Sequence, residues 1–165
     1  MEQSTAPQIE ENPVINEISE GLYRLILKRL KTPLVKGPLL KLTTRFHTNT
    51  KQQGLTHAQI GEVSLLIFNE LNKILGRPEL EDPQQENSTP EIDKTVETTM
   101  KSVHKILSMP PPIPAICKQI LAKVLDRCEE LISEHSLSPE EIKQIGTKTW
   151  EKVSTTIFPD STNQT

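Results

Sequence analysis

The stretch GLTHAQIGEVSLLIF (residues 54–68) carries a complete set of helix-start signals, and SLSPEEIKQIGTKTW (residues 136–150) repeats them further along the chain. In the first stretch, Thr56 is a candidate N-cap and Gln59 stands three positions later, which is the spacing of a capping box. In the second stretch, Ser138 and Glu141 have the same spacing, and Pro139 occupies the first helical position. Each stretch is therefore predicted to begin a helix.

The first stretch also resembles the opening of a DNA-reading helix-turn-helix, which is a competing interpretation. That motif needs a short turn after about Val63, followed by a polar recognition helix. Instead, residues 64–68 read Ser-Leu-Leu-Ile-Phe and continue the apolar pattern without a helix-breaking residue. The pattern favours a packing helix over a DNA reader.

The two stretches belong to a longer internal repeat. Residues 12–33 align with 89–110 at an offset of 77, and residues 34–76 align with 116–158 at an offset of 82. The alignment matches Pro13 with Pro90 and Arg45 with Arg127, so it preserves helix-breaking residues as well as charges. Because identity is low, two amphipathic stretches aligned by chance remain the competing explanation. We interpret the repeat as a tandem duplication.

Apolar residues at helical spacing, interrupted by proline and glycine, predict three helices in each copy. They are expected at about 13–32, 38–47 and 56–75 in the first copy, and at 90–108, 114–135 and 138–157 in the second. The predicted fold is all-α: two three-helix units packed as one six-helix bundle, because a unit of about 65 residues has little core alone. Apolar residues of the third helices are the candidates for the junction between the copies: Leu66, Ile67, Leu71, Ile74, Ile145, Trp150, Val153 and Ile157.

These assignments divide the 165-residue chain into five parts. Residues 1–11 are predicted to be a disordered tail, 12–76 a basic first repeat, 77–88 an acidic linker, 89–158 the second repeat and 159–165 a second tail. The N-terminal sequence lacks the apolar segment of a secretory signal. Cys117 and Cys128 lie eleven residues apart on one predicted helix, about 16 Å along its axis, so they cannot bridge each other. Unpaired thiols favour a reducing compartment, and the predicted location is cytoplasmic.

Charge distinguishes the two copies. Residues 21–61 contain eight Lys or Arg and no Asp or Glu, whereas the second copy has acids at positions 126, 129 and 130. Pairs four residues apart can share a helix face. A basic face for an acidic protein or for phosphates is therefore one interpretation, and solubilising charge is the other. The candidate partner-binding residues are Arg24, Lys28, Lys36, Lys41 and Arg45.

Catalytic and metal-binding motifs are absent from the linear sequence. The four histidines have no metal-ligand spacing, neither cysteine belongs to a C-x-x-C pair, and no glycine-rich phosphate loop occurs. We therefore name no catalytic, cofactor-binding or metal-binding residue, and we predict that the protein is not an enzyme.

The sequence favours a non-enzymatic adaptor or regulatory protein that binds a protein partner with an acidic surface through the basic face of the first repeat. The alternative is a nucleic-acid-binding protein that contacts phosphates through the same face. Peripheral membrane contact is disfavoured, because residues 22–42 carry no Trp or Phe anchor and their leucines are needed for the core. The sequence does not determine an oligomeric state.

Overall fold

A computed structural model describes residues 12–80 and 88–159, and this part of the chain is all-α, as predicted. The six helices are α1 (Pro13–Leu30), α2 (Lys36–Gln52), α3 (His57–Ile74), α4 (Pro90–Leu107), α5 (Ile113–His135) and α6 (Pro139–Ile157). The predicted tails at 1–11 and 160–165 and the middle of the predicted linker, 81–87, lie outside the described residues.

Side-chain caps start four of the helices. Both predicted capping boxes are present: the Thr56 hydroxyl accepts from the Gln59 amide, and the Ser138 hydroxyl accepts from the Glu141 amide. In each box, the side chain of the third helical residue accepts in return from the amide of the capping residue. Asn12 and Thr89 cap α1 and α4 in the simpler way, with proline at the first helical position.

Helix α2 is longer than the sequence predicted, since it extends from Lys36 to Gln52 rather than over 38–47. Its C-terminal part contains Thr48, Asn49 and Thr50, and these residue types compete with helical hydrogen bonding. In the fold, Asn49 and Thr50 are buried, and their side chains donate to carbonyl oxygens of the preceding turn. Tertiary packing therefore extends the helix to the turn at Gly54, whose φ is +63°.

The two predicted copies interlock. Helix α3 packs most extensively on α6, α1 packs on α6 and α5, and α4 packs on α3 and α2. Each of these contacts joins one half of the chain to the other, whereas α1 and α2 touch each other only slightly. The contacts also occur in matching pairs under the predicted equivalence of α1 with α4, α2 with α5 and α3 with α6, although the duplication itself stays a prediction.

Helices α3 and α6 approach most closely at small residues rather than at the large apolar residues predicted for the junction. A Cβ atom on Gly61 would lie 2.7 Å from the Lys143 carbonyl oxygen, and one on Gly146 would lie 2.5 Å from the Ser64 Cβ. Five of the eight predicted junction residues instead line a cavity described below: Ile67, Leu71, Ile145, Trp150 and Val153. In the sequence, Gly61 and Gly146 were the residues that indicated where α3 and α6 approach each other.

Polar contacts also join the two halves at this crossing. The Lys143 ammonium lies 2.8 Å from the Glu62 carboxylate, and the Lys143 and Glu62 side chains are only 5% and 17% exposed. The Thr147 hydroxyl donates to the carbonyl oxygen of His57, and the His57 ring contacts the Glu151 carboxylate. These contacts indicate that α3 and α6 are antiparallel. As α3 runs from His57 to Glu62, the residue of α6 in contact with it changes from Glu151 to Lys143.

The first residues of the predicted linker are held against the bundle. Arg77 pairs with Asp126 of α5 at 2.6 Å, and the side-chain amide of Asn69 exchanges two hydrogen bonds with the backbone of Leu80. Arg77 and Leu80 are half-buried by these contacts, whereas Pro78 and Glu79 between them are exposed.

Candidate functional site: a basic helical face and an apolar cavity

The candidate cations on α2 are exposed, but they do not all lie on one face of the helix. Lys41, Arg45 and Thr48 follow one another at helical spacing and share a face. Lys36 lies in the first turn, about 180° around the helix from Arg45. Helix α2 contains no acidic residue. Among the residues that the structure describes, no carboxylate lies within ion-pairing distance of Lys36, Lys41 or Arg45, so the positive charge of α2 faces solvent without an ion-pair partner there.

The two candidates on α1 differ from each other. Arg24 donates to the Glu20 carboxylate at 2.9 Å, and Lys152 of α6 lies 3.2 Å from the same carboxylate. The hydrogen bonds from Arg24 and then Lys152 hold the pKa of Glu20 below its ordinary value. Lys28 is exposed and has no such carboxylate nearby in the described ranges. Arg24 consequently contributes least to the basic face.

The corresponding stretch of α5 is electrostatically different from α2. Arg127, the counterpart of Arg45, bonds to Glu130 at 2.9 Å. Lys123, the counterpart of Lys41, lies in a cleft between α1 and α5 that also contains Asp126 and Glu134. At two of the three aligned positions, Lys123 and Arg127, the basic residue of the second half therefore has acids beside it.

Three large apolar side chains are exposed as well. Of the large hydrophobic residues in the described ranges, Leu34 is 66% exposed, Leu40 43% and Met109 37%. All three lie close in sequence to a buried cluster containing Val35 and Ile106. Leu34 also has a φ of +76°, a conformation in which leucine is strained. Leu40 lies four residues after Lys36 on α2, so these two side chains share a face of the helix.

The second candidate site is an apolar cavity of about 370 Å³ in the centre of the bundle, partly open to solvent. All six helices contribute to its wall, so neither half encloses it alone. The side chains reaching it are mostly aliphatic or aromatic. They include Ile18, Leu22, Phe46, Leu65, Phe68, Leu125, Leu131, Ile132, Ile142, Ile145 and Trp150.

The polar groups in the cavity wall are few and mostly satisfied. No charged side chain lines the cavity, and three of its hydroxyl groups, on Thr43, Ser64 and Thr99, donate to carbonyl oxygens one turn earlier in their own helices. The fourth hydroxyl, on Thr149, is buried without a hydrogen-bond partner. Cys128 also lines the cavity, and burial raises the pKa of its thiol to about 12. The cavity is therefore an apolar environment with little capacity for hydrogen bonding.

Aromatic rings form the part of the wall between α2 and α6. Phe46 meets Trp150 edge to face with ring centroids 4.7 Å apart, and His47 stacks on Phe158 at 4.2 Å. Burial, and secondarily the charge of Lys51, lowers the pKa of His47, which favours the neutral ring that this stacking uses. The basic helix and the cavity therefore share α2 as a common element.

The volume of the cavity is suited to a ligand. A space of about 370 Å³ lies within the range of small-molecule sites, roughly 300–1,000 Å³.

Sequence reasoning assigned the cavity residues to the core and so missed this site. An apolar side chain at helical spacing predicts a buried face, and the same pattern arises whether the face meets another side chain or a space. The sequence indicated the cavity only indirectly. The small residues Gly61, Ser64 and Gly146 bring α3 and α6 together at one level, and space remains between the larger side chains at other levels.

Metal and membrane features are absent from the described ranges. Within 12–80 and 88–159, no three His, Cys, Asp or Glu side chains come together as a metal site requires. None of the helices in these ranges is long and apolar enough to cross a bilayer. Cys117 and Cys128 are both free thiols.

Comparison with protein-family models, with curated proteins and with solved structures gives no match to this chain.

Proposed function

We propose that this protein is a non-enzymatic adaptor or regulatory protein that binds the acidic surface of a protein partner through the exposed face of α2. Lys41 and Arg45 share a face of α2 and supply the charge, and the further candidates are Lys36 in the first turn of α2 and Lys28 and Arg24 on α1. Leu34 and Leu40 supply apolar contact.

One observation carries this proposal: helix α2 contains no acidic residue and its cations have no carboxylate in ion-pairing range within the described chain, whereas α5 contains four acids and its Arg127 is ion-paired. A surface kept only for solubility gives no reason for the absence of acids from this one helix. An acid-free helix beside exposed leucines suits a complementary surface, where charge steers association and fixes orientation.

In this proposal, the exposed leucines contribute binding free energy that the charges alone do not supply. Exposed ion pairs contribute only about 0–1 kcal/mol each, so a purely electrostatic contact would be weak. Apolar groups at the centre of a contact contribute more, and a polar rim around them provides specificity. Leu34 is exposed and conformationally strained, which is a combination that folding alone does not explain.

The proposal is tested by charge reversal on α2. We expect the double variant Lys41→Glu with Arg45→Glu to lose proteins that the wild-type chain retains in affinity purification from the native host, identified by mass spectrometry. The matched control, Lys94→Glu with Lys101→Glu, makes the same change in net charge on exposed positions of α4 and should retain them. Retention of every partner by the α2 variant would refute the assignment.

Nucleic acid is the competing ligand for the same face, and it has a separate readout. Phosphate binding predicts an affinity for duplex DNA or single-stranded RNA that falls steeply with salt and is lost in the α2 variant. We expect no binding to either oligonucleotide at low salt. Salt-dependent binding that requires Lys41 and Arg45 would replace the protein partner with a nucleic acid.

A further inference from the structure

We propose that the central cavity is a binding site for an uncharged, hydrocarbon-rich small molecule about as large as a dodecyl chain. This site is separate from the α2 surface and does not depend on the proposed function. Side chains of all six helices line the site, so its occupant would bind only to the complete fold.

The wall chemistry does not favour water as the natural filling. A water molecule takes about 30 Å³, so about 370 Å³ corresponds to about twelve waters. Buried waters need two to four polar partners each, the hydroxyls of Thr43, Ser64 and Thr99 donate to backbone carbonyls, and only the Thr149 hydroxyl has no hydrogen-bond partner. A methylene group is close to water in volume, so the same space takes an alkyl chain of about a dozen carbons.

The rest of the chain does not offer a suitable filling either. The segments outside the described residues read MEQSTAPQIEE, EDPQQEN and DSTNQT, and their only non-proline apolar residues are Met1, Ala6 and Ile9. The exposed apolar residues Leu34, Leu40 and Met109 are not part of the cavity wall. None of the exposed large apolar side chains in the described ranges therefore extends the cavity wall onto the surface.

The same wall determines the charge of the ligand. No Lys, Arg, Asp or Glu lines the cavity, so an ionised headgroup inside it would be buried without a counterion. A hydrocarbon, a fatty alcohol or an isoprenoid satisfies this wall. A carboxylate or phosphate fits only if it remains outside the cavity.

Trp150 allows direct detection, because it is the only tryptophan of the chain and it lines the cavity. Bromine quenches tryptophan fluorescence on contact, so 11-bromo-1-undecanol should quench Trp150 saturably. Displacement by 1-hexanol, 1-octanol, 1-decanol and 1-dodecanol should strengthen about fourfold per methylene and then level off near twelve carbons. Absence of saturable quenching, or displacement that does not depend on chain length, would overturn the proposal.

Variants separate the cavity from other apolar surfaces. Val124→Phe fills part of the cavity and should weaken binding of the brominated alcohol at least tenfold, and Ile132→Phe serves in its place if that variant does not fold. Val96→Phe enlarges a half-buried residue of α4 outside the cavity and should leave binding unchanged. Leu34→Ser with Leu40→Ser removes the exposed leucines of the α2 surface. Loss of quenching in this double variant alone would show that the ligand binds at the surface, and it would refute the cavity site.

Discussion

At the crossing of α3 and α6, Gly61 and Gly146 let two helix backbones approach more closely than any side chain permits. Glycine inside a helix costs roughly 0.5–1 kcal/mol relative to alanine, so its presence here needs a compensating contact. The contact is the opposing helix itself, which would lie 2.7 Å from a Cβ on Gly61 and 2.5 Å from one on Gly146.

Alanine substitution tests this crossing. We expect Gly61→Ala to lower the free energy of unfolding by about 1–3 kcal/mol, because the nearest atom is a backbone carbonyl oxygen that cannot rotate away. Gly21→Ala in α1 is the matched control, since nothing lies within 4 Å of its Cβ, and it should raise stability by about 0.5–1 kcal/mol. Urea denaturation measures both. Equal effects of the two substitutions would contradict the close crossing.

Cys128 predicts a pH dependence of stability. Its pKa is raised to about 12 by burial first and then by Glu129, whereas the unfolded thiol ionises near its ordinary value of 9.0. Above about pH 9 the unfolded state therefore loses a proton that the folded state retains, and stability falls as the pH rises toward 12 by about 1.4 kcal/mol per pH unit. Cys128→Ala should make this slope shallower in reducing urea titrations between pH 8 and 10.5. An unchanged slope would show that burial does not raise the pKa of Cys128.

At the scale of the helix, local signals predicted where elements begin better than where they end. The capping boxes at Thr56 and Ser138 satisfy orphan amides within four residues, so the sequence contains all the information that they need. The last turn of α2 depends instead on the burial of Asn49 and Thr50, which is a tertiary effect. Its limit was therefore not predictable from propensity.

The two candidate sites also differ in how far the sequence alone could predict them. The cations on α2 were predictable, because the sequence shows which residues are charged and how they are spaced along a helix. The compensation of Arg24 by Glu20 is also local, since the two are four residues apart, but the contribution of Lys152 is not. The cavity depends on distances between six helices, and no window of the sequence contains them.

At the scale of the whole molecule, the two halves of the chain complete each other. The principal packing partners of α1 lie in the second half, and those of α4 lie in the first. The buried Glu62–Lys143 pair and the cavity wall also draw on both halves. Either half alone would expose most of the apolar surface that the bundle covers, so folding should be a single cooperative event.

Separated halves test the interlocking. We expect polypeptides 1–80 and 81–165 each to be largely unfolded by circular dichroism, because each lacks the helices against which its first and third helices pack. An equimolar mixture should regain helicity and a shifted Trp150 emission. A cooperative unfolding transition in either half alone, equal in sharpness to that of the full chain, would show that the repeats fold independently.

The central claim is that two interlocked halves enclose one apolar site, and intermolecular nuclear Overhauser effects from 1-dodecanol test it most directly. The account predicts contacts from the alkyl protons to methyl groups of both halves in one complex: Ile18 and Leu65 from the first, Leu125 and Ile145 from the second. Contacts confined to Leu34, Leu40 and Met109, or to methyl groups of one half only, would contradict it.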